Sequence, residues 1–585
     1  MSERTPGPAS AIAPDTTGLN FFRADPSLAD LLHVYLPERL RRHIEPHLDR
    51  LGALAGEHLD ACARMADRHP PVLHHRDRFG RDEQWIEYHP AYRELERAAF
   101  GEFAIHALSH RKGLLGWPDT YPAVAKHAFT YLFNQAEFGL GCPINVTDGA
   151  AMLLDRFGEA ALKAKYLPGL LETDMARLTQ GAQFMTEKEG GSDVGRLTTV
   201  AMPEGDHWRL SGEKWFCSNA DAAIVMLLAR PQGAAAGTRG LGLFLMPRRL
   251  DDGTPNRYRI VRLKDKLGTR SMASGEIKLE GALAHAVGRL DRGFVQMALM
   301  VNWSRLSNGV KSTALMRRAL HDALAVAQGR RAFGRPIIEL PLARRQLLKM
   351  LLPLEQALSM CFLTADALDR AERAGSQQAA ALVRILTPVL KFRATRDARK
   401  VCGDALEFRG GVGYIEEFAP ARLLRDAHLG SIWEGTGNIV ALDAIARAVG
   451  RHGADGALAA DLEARLGEAG GIPPAFRDRL RAALDRSLAL ARAVAGDAGN
   501  ESEARRATSA LYHAASAVML ATEAVHVHAR RGDARRLLLA GLALDHKLAG
   551  RDPLAPSDSR REQAIADLLL GAAPVPLAIA AEAVA

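Results

Sequence analysis

A single carboxylate, Glu434, stands in a setting that suits a general base. It follows the apolar pair Ile432 and Trp433 and precedes small residues. Apolar surroundings strengthen a carboxylate as a base because they disfavour its ionised form. The alternative is an ordinary loop carboxylate that stabilises the N-terminus of the next helix, for which Thr436 or Asn438 would be the cap.

Two other segments combine glycine, hydroxyl and aromatic side chains in a way that suits a flat ligand with a polar edge, such as a flavin. Between Gln183 and Asp193, Thr186 and Ser192 offer hydroxyl donors beside adjacent glycines that let a ligand approach the backbone. The segment Gly212–Asn219 adds aromatic rings and one further hydroxyl. The alternatives are a Gly-Ser turn that opens a β domain and a strand with aromatic core residues.

A cationic segment, Gln328–Pro336, follows a predicted helix. Its Arg330 or Arg331 can bind a pyrophosphate through two parallel hydrogen bonds. The alternative is a helix C-terminus that Gly334 closes and cations stabilise. The segment Gly411–Gly413 begins like a dinucleotide fingerprint, but it follows a helix instead of a strand and has Glu416 in place of the third glycine, which argues against a Rossmann site.

The elements that must position these residues change character along the chain. Helical periodicity dominates at first, short strands with turn signals follow, and long amphipathic helices such as Phe294–Ala327 and Gln377–Phe408 return. The predicted fold is mainly α with a central β-barrel or sandwich domain and a C-terminal helical bundle. The predicted segments are a disordered lead-in, an N-terminal helical domain, the β domain, the bundle with Glu434 and an additional helical domain: 1–26, 27–182, 183–290, 291–450 and 451–585.

Composition limits the functional classes. The net charge of +8 is spread over 585 residues, so it gives only a weak indication of anionic partners. Five scattered cysteines predict neither a disulfide framework nor a metal site, and they favour a reducing compartment. We find no signal peptide and no uninterrupted apolar stretch that would span a bilayer, and therefore expect a cytoplasmic protein without a membrane partner.

The order and separation of the motifs resemble the acyl-CoA dehydrogenase superfamily over roughly residues 90–450. The motifs that carry this resemblance are Met185–Glu187 with Gly191–Asp193, Lys214–Asn219, Arg330–Gly334, Gly410–Tyr414 and Trp433–Thr436. Other segments are similar to the alkylation-response (AidB-like) branch of that superfamily: His69–Pro71, Asp77–Arg81, Tyr88–Tyr92, Leu263–Gly268 and Ser431–Gly435. The additional helices after 450 agree with that branch.

The resemblance implies a non-covalently bound FAD, an acyl-CoA substrate and an electron-transfer flavoprotein or other acceptor. Glu434 would remove the α-proton of the thioester while a β-hydride passes to the flavin. Two positions depart from the usual pattern, because most dehydrogenases have Gln in place of Glu407 and Tyr in place of Trp433. The cofactor-binding residues that the resemblance assigns are Met185, Thr186, Ser192, Phe216, Cys217, Ser218, Arg330, Phe333, Glu407, Gly410, Gly411, Trp433, Thr436 and Asn438.

Two alternatives to a dehydrogenase stay open at this point. One is an acyl-CoA oxidase, which differs only in the access of oxygen. The other is a DNA-associated flavoprotein with a vestigial dehydrogenase site. Charge balances over residues 451–585, yet four arginines cluster at helical spacing, and we expect at most weak, non-specific duplex binding through them. These arginines are Arg530, Arg531, Arg535 and Arg536. The resemblance also implies a homotetramer whose subunits share FAD sites.

Overall fold

The computed structural model of the protein describes residues 13–550, 552, 554 and 558–584. Two compact units are built from interleaved segments. The first unit takes the chain up to residue 56, residues 123–135 and everything from 308 onward; the second takes 57–122 and 136–307. The predicted class, mainly helical with a central β domain, is confirmed. The chain-order domain bounds stay a prediction.

The helices lie mostly on either side of the strand-rich segment. In chain order they are α1 (Pro26–Tyr35), α2 (Glu38–Gly56), α3 (His58–Arg68), α4 (Pro90–Glu96), α5 (Ala123–Phe133), α6 (Gly141–Phe157), α7 (Ala160–Leu170), α8 (Gly293–Gly329), α9 (Pro341–Arg373), α10 (Gln377–Phe408), α11 (Gly411–Tyr414), α12 (Ala419–Gly430), α13 (Gly437–Leu442), α14 (Ala454–Glu468), α15 (Pro474–Gly496), α16 (Ala504–Arg531), α17 (Arg535–Ala543), α18 (Ser559–Leu570) and α19 (Leu577–Val584).

The strands belong to one large sheet and two short hairpins. They are β1 (Val72–His74), β2 (Trp85–Glu87), β3 (Gly181–Phe184), β4 (Val200–Glu204), β5 (His207–Ser218), β6 (Ile224–Pro231), β7 (Gly242–Pro247), β8 (Tyr258–Leu263), β9 (Ser274–Ala286), β10 (Arg331–Ala332) and β11 (Arg335–Pro336). The large sheet follows the order β3-β6-β4-β5-β9-β7, with β8 on β9. Because β7 also pairs with β6, the sheet returns on itself as in a barrel.

The pattern of buried side chains along each strand shows how the sheet of the second unit is packed. Strand β6 is a continuous apolar run, Ile224–Ala229, buried throughout, which is typical of a strand covered on both faces. Strand β9 instead alternates over much of its length between buried and partly exposed positions, as expected for a strand with one face toward the core. Strand β6 is therefore covered on both faces in the interior of the sheet. Strand β5 pairs with β9.

Long antiparallel helices form the core of the first unit. The helices predicted as Phe294–Ala327 and Gln377–Phe408 are found as Gly293–Gly329 and Gln377–Phe408. The side chain of Ser376 caps α10 by accepting the N–H of Ala379, and Pro341 begins α9 at a position where its missing N–H costs nothing. Helices α9 and α10 pack against each other and against α16.

Helix α9 is long and apolar enough, by length and composition alone, to cross a membrane. Its most apolar window is 83% buried inside the protein. A buried helix of this kind is a core helix of a bundle.

Buried ion pairs join the additional C-terminal helices to this bundle. The guanidinium of Arg536, on α17, donates to Glu355 on α9 at 2.9 Å and to Glu523 on α16 at 2.7 Å. Glu355 also accepts from Arg317 on α8 at 2.6 Å, and all four side chains are buried. The extra helices are therefore part of the first unit.

These contacts bear on the expectation of at most weak, non-specific duplex binding through four arginines. Gly532 adopts φ 73° and ends α16, so the four arginines do not share one helix face. Arg536 is buried, Arg530 and Arg531 both bind the carboxylate of Asp30, and Arg535 binds Asp533. The cluster holds helix ends together instead of presenting charge.

The prediction of a disordered lead-in over residues 1–26 is wrong for residues 13–26. Residues 1–12 lie outside the described part of the chain. From residue 13 the chain forms packed turns. The hydroxyl of Thr16 donates to Asp322 at 2.7 Å, and Phe21 is fully buried. The sequence misled because this segment has no periodicity of its own and is ordered by the bundle it packs on.

Candidate functional site

In the second unit, Phe216 projects from a bulge of strand β5. The pairing with β9 shifts register between Lys214 and Cys217, so Trp215 and Phe216 have no paired residue on β9. A bulge bends its strand and re-aims the side chains that it carries. The ring of Phe216 is 58% exposed, which leaves an aromatic face available for a flat ligand.

The Thr186 segment lies directly beside this bulge. The N–H of Trp215 donates to the carbonyl oxygen of Thr186 at 2.8 Å. Thr186 and Ser218 are partly exposed, and among the described residues their hydroxyls have no hydrogen-bond partner. Two segments predicted separately from the sequence thus come together, with free hydroxyls near an exposed ring.

A buried ion pair fixes the two segments to each other. The ammonium of Lys214 lies 2.7 Å from the carboxylate of Glu187, and both side chains are almost completely buried. Glu187 also accepts from the backbone N–H of Thr198 and from the hydroxyl of Thr199, at 2.6 and 2.5 Å. Because Glu187 adjoins Thr186 and Lys214 adjoins Trp215, the pair sets the position of both.

Burial governs the protonation of this pair. It lowers the pKa of Lys214, and the carboxylate of Glu187 only partly offsets that effect. Burial would also raise the pKa of Glu187, but the charge and hydrogen bond of Lys214 hold it below its ordinary value. Glu187 therefore remains an ionised acceptor in the interior of the sheet.

The structure places Cys217 and two further predicted residues of this unit. The thiol of Cys217 is buried in the core, and burial raises its pKa well above the ordinary value, so its side chain does not face a ligand. Met185 is partly exposed next to Thr186, and Ser192 is exposed in the loop after β3. Asn219 ends β5 with φ 56° and donates to the carbonyl of Gly181 at 2.9 Å.

In the first unit, Glu434 is held in an unusual conformation. Its φ is +53°, in the left-handed region that few residues with a side chain adopt. The side-chain amide of Asn308, on α8, donates to the Glu434 carboxylate at 2.7 Å and to the carbonyl of Gly430 at 2.9 Å. Asn308 is fully buried, so one carboxylate oxygen is tied to the rigid bundle.

Two lysines support the loop that carries Glu434. Lys391, on α10, donates to the carbonyl of Gly435 at 2.5 Å. The ammonium of Lys311 lies 4.5 Å from the ring centre of Trp433, in a cation–π contact. The loop is therefore positioned by groups on α8 and α10 that the sequence did not single out.

The helix after Glu434 begins at Gly437, with Thr436 at the N-cap position but without a side-chain cap hydrogen bond. Asn438 is not a cap either: its side chain accepts from Arg505, on α16, at 2.9 Å. This contact brings an additional C-terminal helix to the end of the Glu434 loop. The predicted loop residues Trp433, Glu434, Thr436 and Asn438 are thus together, but with partners different from those expected.

The remaining predicted residues of this unit are exposed. Phe333 lies at the tip of the β10–β11 hairpin with φ 51° and is 93% exposed, next to an exposed Arg330. Glu407 is exposed at the end of α10. At Gly410 and Gly411 a side chain would meet no atom within 4 Å, so a ligand or another chain can approach the backbone there.

The buried partners were not predictable from spacing. Asn308 and Glu434 are 126 residues apart, and an asparagine inside an amphipathic helix gives no signal of a long-range contact. Among the described residues, no group of three or more His, Cys, Asp or Glu side chains is arranged to hold a metal. The arrangement offers one fixed carboxylate and, in the other unit, an aromatic ring with free hydroxyls.

Three family matches cover most of the chain between residues 12 and 450. Residues 12–175 match the adaptive response protein AidB N-terminal domain. Residues 182–282 match the acyl-CoA dehydrogenase middle domain, and 291–450 match the acyl-CoA dehydrogenase C-terminal domain. These segments contain all the residues that the sequence analysis assigned to chemistry.

Individual relatives agree with the domain matches. The chain is 32% identical to acyl-CoA dehydrogenase family member 11 of Caenorhabditis elegans over 73% of this chain and 70% of that one. It is 36% identical to the putative acyl-CoA dehydrogenase AidB of Escherichia coli over 65% of this chain and 70% of that one. The structure of C. elegans ACDH-11, solved with C11-CoA, has a TM-score of 0.85 at 27% identity and covers 96% of both chains.

Proposed function

Since this chain belongs to the acyl-CoA dehydrogenase family, whose cofactor is FAD, we propose that it oxidises the α,β-bond of an acyl-CoA thioester with Glu434 as the base. The observation that carries the proposal is the Glu434 carboxylate itself. It is oriented by a buried amide, on a loop whose backbone is held in the left-handed region. Strained positions of this kind persist where the surroundings hold them, and they cluster at active sites.

The residues present fit FAD. Phe216 offers an exposed ring face, while Thr186 and Ser218 offer free hydroxyls of the kind that the polar edge of a flavin needs. Arg330 is an exposed guanidinium for the pyrophosphate, and Gly410 leaves its backbone open. When bound, FAD supplies a two-electron acceptor for the β-hydride.

In the proposed reaction, the main task of the protein's own side chains is to remove the α-proton of the thioester. The α-proton of a thioester is weakly acidic, so removal requires a base that is already aimed at it. The amide of Asn308 holds the carboxylate of Glu434 in place, and this carboxylate is the group that we propose accepts the proton. The charge that develops on the thioester oxygen must be stabilised by hydrogen-bond donors, and the backbone N–H of Glu434 is the donor that the family resemblance assigns to this chain.

We propose a medium-length saturated acyl-CoA as the substrate. The support is the likeness to C. elegans ACDH-11, which was solved with C11-CoA and aligns over 96% of both chains. We expect the electrons to pass on to an electron-transfer flavoprotein, as the family resemblance implies.

The direct test is anaerobic titration of the FAD-loaded protein with saturated acyl-CoAs of increasing chain length. The expected result is bleaching of the flavin by a subset of these thioesters, with the trans-2-enoyl-CoA as product. If no acyl-CoA bleaches a fully loaded flavin that dithionite does bleach, the dehydrogenase assignment is wrong.

We do not extend the proposal to DNA. The four arginines that motivated a duplex-binding surface are engaged in ion pairs with Asp30, Asp533, Glu355 and Glu523. A phosphate backbone would have to compete with these carboxylates, two of which are buried partners of Arg536. In the part of the additional helices that the structure describes, these four arginines therefore do not support a duplex-binding surface.

A further inference from the structure

A cavity of about 450 Å³ lies in the first unit, among α9, α10 and the C-terminal helices. Its apolar floor includes Leu348 and Leu352 on α9, Val401 on α10 and Leu542 on α17. The volume lies within the range of small-molecule sites. None of the residues that we assign to FAD, the thioester or proton removal lines this cavity.

Cations surround this floor. The cavity is lined by six cations, Arg344, Arg345, Lys349, Arg393, Lys400 and Lys547, and by two carboxylates, Asp397 and Glu562. Four of the cations have carboxylate partners: Arg344 pairs with Asp567, Arg345 with Glu562 at 3.6 Å, Arg393 with Asp397 at 3.0 Å and Lys400 with Asp404 at 2.8 Å. Among the described residues, Lys349 and Lys547 have no ion pair.

The two unpaired lysines face further positive charge. Both lysine side chains are exposed, and they share the lining of the cavity with Arg393 and Lys400. Like charges held close together raise the free energy of the unliganded protein. An anion placed between Lys349 and Lys547 would remove that repulsion.

We propose that this cavity binds a free medium-chain carboxylate, with its acyl tail on the leucine floor and its carboxylate between Lys349 and Lys547. An apolar floor selects for a chain, and an uncompensated pair of ammonium groups at the rim selects for an anionic head group. The inference is independent of the proposed dehydrogenase reaction, because the two sites share no residue.

Isothermal titration calorimetry tests the proposal on the FAD-loaded protein with three probes: decanoate, the neutral decan-1-ol and inorganic phosphate. Decanoate is expected to bind once per chain and about tenfold or more tightly than either of the other probes. The double variant Lys349→Met/Lys547→Met is expected to weaken decanoate binding about tenfold or more. Lys112→Met, which removes a lysine that is 72% exposed in the other unit, is the matched control and should bind decanoate normally.

Each other outcome overturns the proposal in a recognisable way. Equal binding of decanol means that charge plays no part, and equal binding of phosphate means a simple anion site. Unchanged decanoate binding in the double variant places the ligand elsewhere. Leu348→Trp, which fills the floor while leaving both lysines in place, must also weaken decanoate binding. Flavin bleaching by acyl-CoA, measured on the same variants, should be unaffected, which separates this failure from failure of the dehydrogenase assignment.

Discussion

Glu434 combines a strained backbone with a fixed side chain. A left-handed conformation costs a residue with a side chain about 1–2 kcal/mol, so it persists only where neighbours require it. The amide of Asn308 and the ammonium of Lys391 supply this requirement from two different helices. At the residue scale, the base is thus positioned by groups that do not themselves touch the substrate in the proposed reaction.

Asn308→Leu should separate positioning from stability. The variant keeps the side-chain size but removes the donor to Glu434, so we expect FAD to be retained and flavin reduction to slow about 10- to 100-fold. A hydrogen bond to a carboxylate favours its ionised form, and its loss should move the acid limb of the rate profile to higher pH. Stopped-flow reduction across pH measures both.

The control for this experiment is Asn134→Leu, which removes another buried asparagine whose amide donates to a backbone oxygen, that of Thr130 at 2.7 Å. It is expected to cost stability without moving the pH profile. An Asn308→Leu profile that coincides with that of the wild type would exclude Asn308 as a positioning residue.

Local motifs made Glu434 and Phe216 predictable, because each lies within a short run of unusual residues. The role of Asn308 could not be predicted from a local motif, because its contact with Glu434 spans 126 residues. Strand geometry explains why the thiol of Cys217 is buried: successive side chains point to opposite faces, so the residue after an outward-facing Phe216 points into the core. Applying this alternation to the motif would have predicted that the side chain of Cys217 faces the core.

At the element scale, strand β5 and the segment after β3 act as one piece. The bulge exposes Phe216, and the buried pair of Lys214 and Glu187 keeps Thr186 beside it. A buried pair is expensive to break on one side, because the remaining charge is left without compensation. The same pair therefore serves the sheet and the ligand-facing surface.

Lys214→Met should lower the free energy of unfolding by about 3–5 kcal/mol and weaken FAD retention. The double variant Glu187→Gln/Lys214→Met should recover part of that loss, since it leaves no unpaired charge. Lys188→Met, which breaks an exposed pair with Glu213, should cost about 1 kcal/mol or less. Denaturant unfolding measures all three, and equal losses for Lys188 and Lys214 would contradict this account.

A buried arginine, Arg536, is one of the groups that join the additional helices to the bundle. Arg536→Met should destabilise the protein by about 3–5 kcal/mol because Glu355 and Glu523 lose their shared cation. Arg506→Met, which breaks an exposed i,i+3 pair with Glu503, is the control and should be nearly neutral. Thermal unfolding and limited proteolysis of the C-terminal helices measure the difference between the two variants. Equal melting temperatures of Arg536→Met and Arg506→Met would show that the buried network does not hold these helices in place.

Helical periodicity predicted the long helices to within a few residues of their observed ends, because each buries a continuous apolar stripe. It did not predict that α5 joins segments from 308 onward in one unit, or that residue 13 onward packs on α8. Those relations arise from tertiary contacts between distant parts of the chain. The sequence pattern within a single element does not predict contacts between distant parts of the chain.

At the scale of the whole molecule, the exposed side chain of Phe333 stands out among the described aromatic residues. Phe333 is 93% exposed at a hairpin tip, with a backbone strained to hold it there. Large exposed apolar groups on an ordered projection are typical of subunit or ligand contacts. We therefore propose that this hairpin joins subunits of a homotetramer, in which each hairpin completes the FAD site of a neighbour.

Phe333→Asp is expected to reduce both assembly size and flavin content. Light scattering coupled to chromatography should show species smaller than a tetramer, and flavin absorbance per chain should fall. Phe79→Asp replaces another exposed phenylalanine, at 67% exposure, and should change neither. A Phe333→Asp tetramer with full FAD would rule out a role of the hairpin in assembly.

The most direct measurement for the central claim is anaerobic flavin reduction in Glu434→Gln. With a thioester that bleaches the wild type, the variant should retain its FAD and reduce it about 10²–10⁴-fold more slowly, because the fixed base is gone. Glu417→Gln, an exposed glutamate of the same unit, should react at the wild-type rate. A Glu434→Gln enzyme that bleaches as fast as the wild type would contradict the assignment of Glu434 as the base.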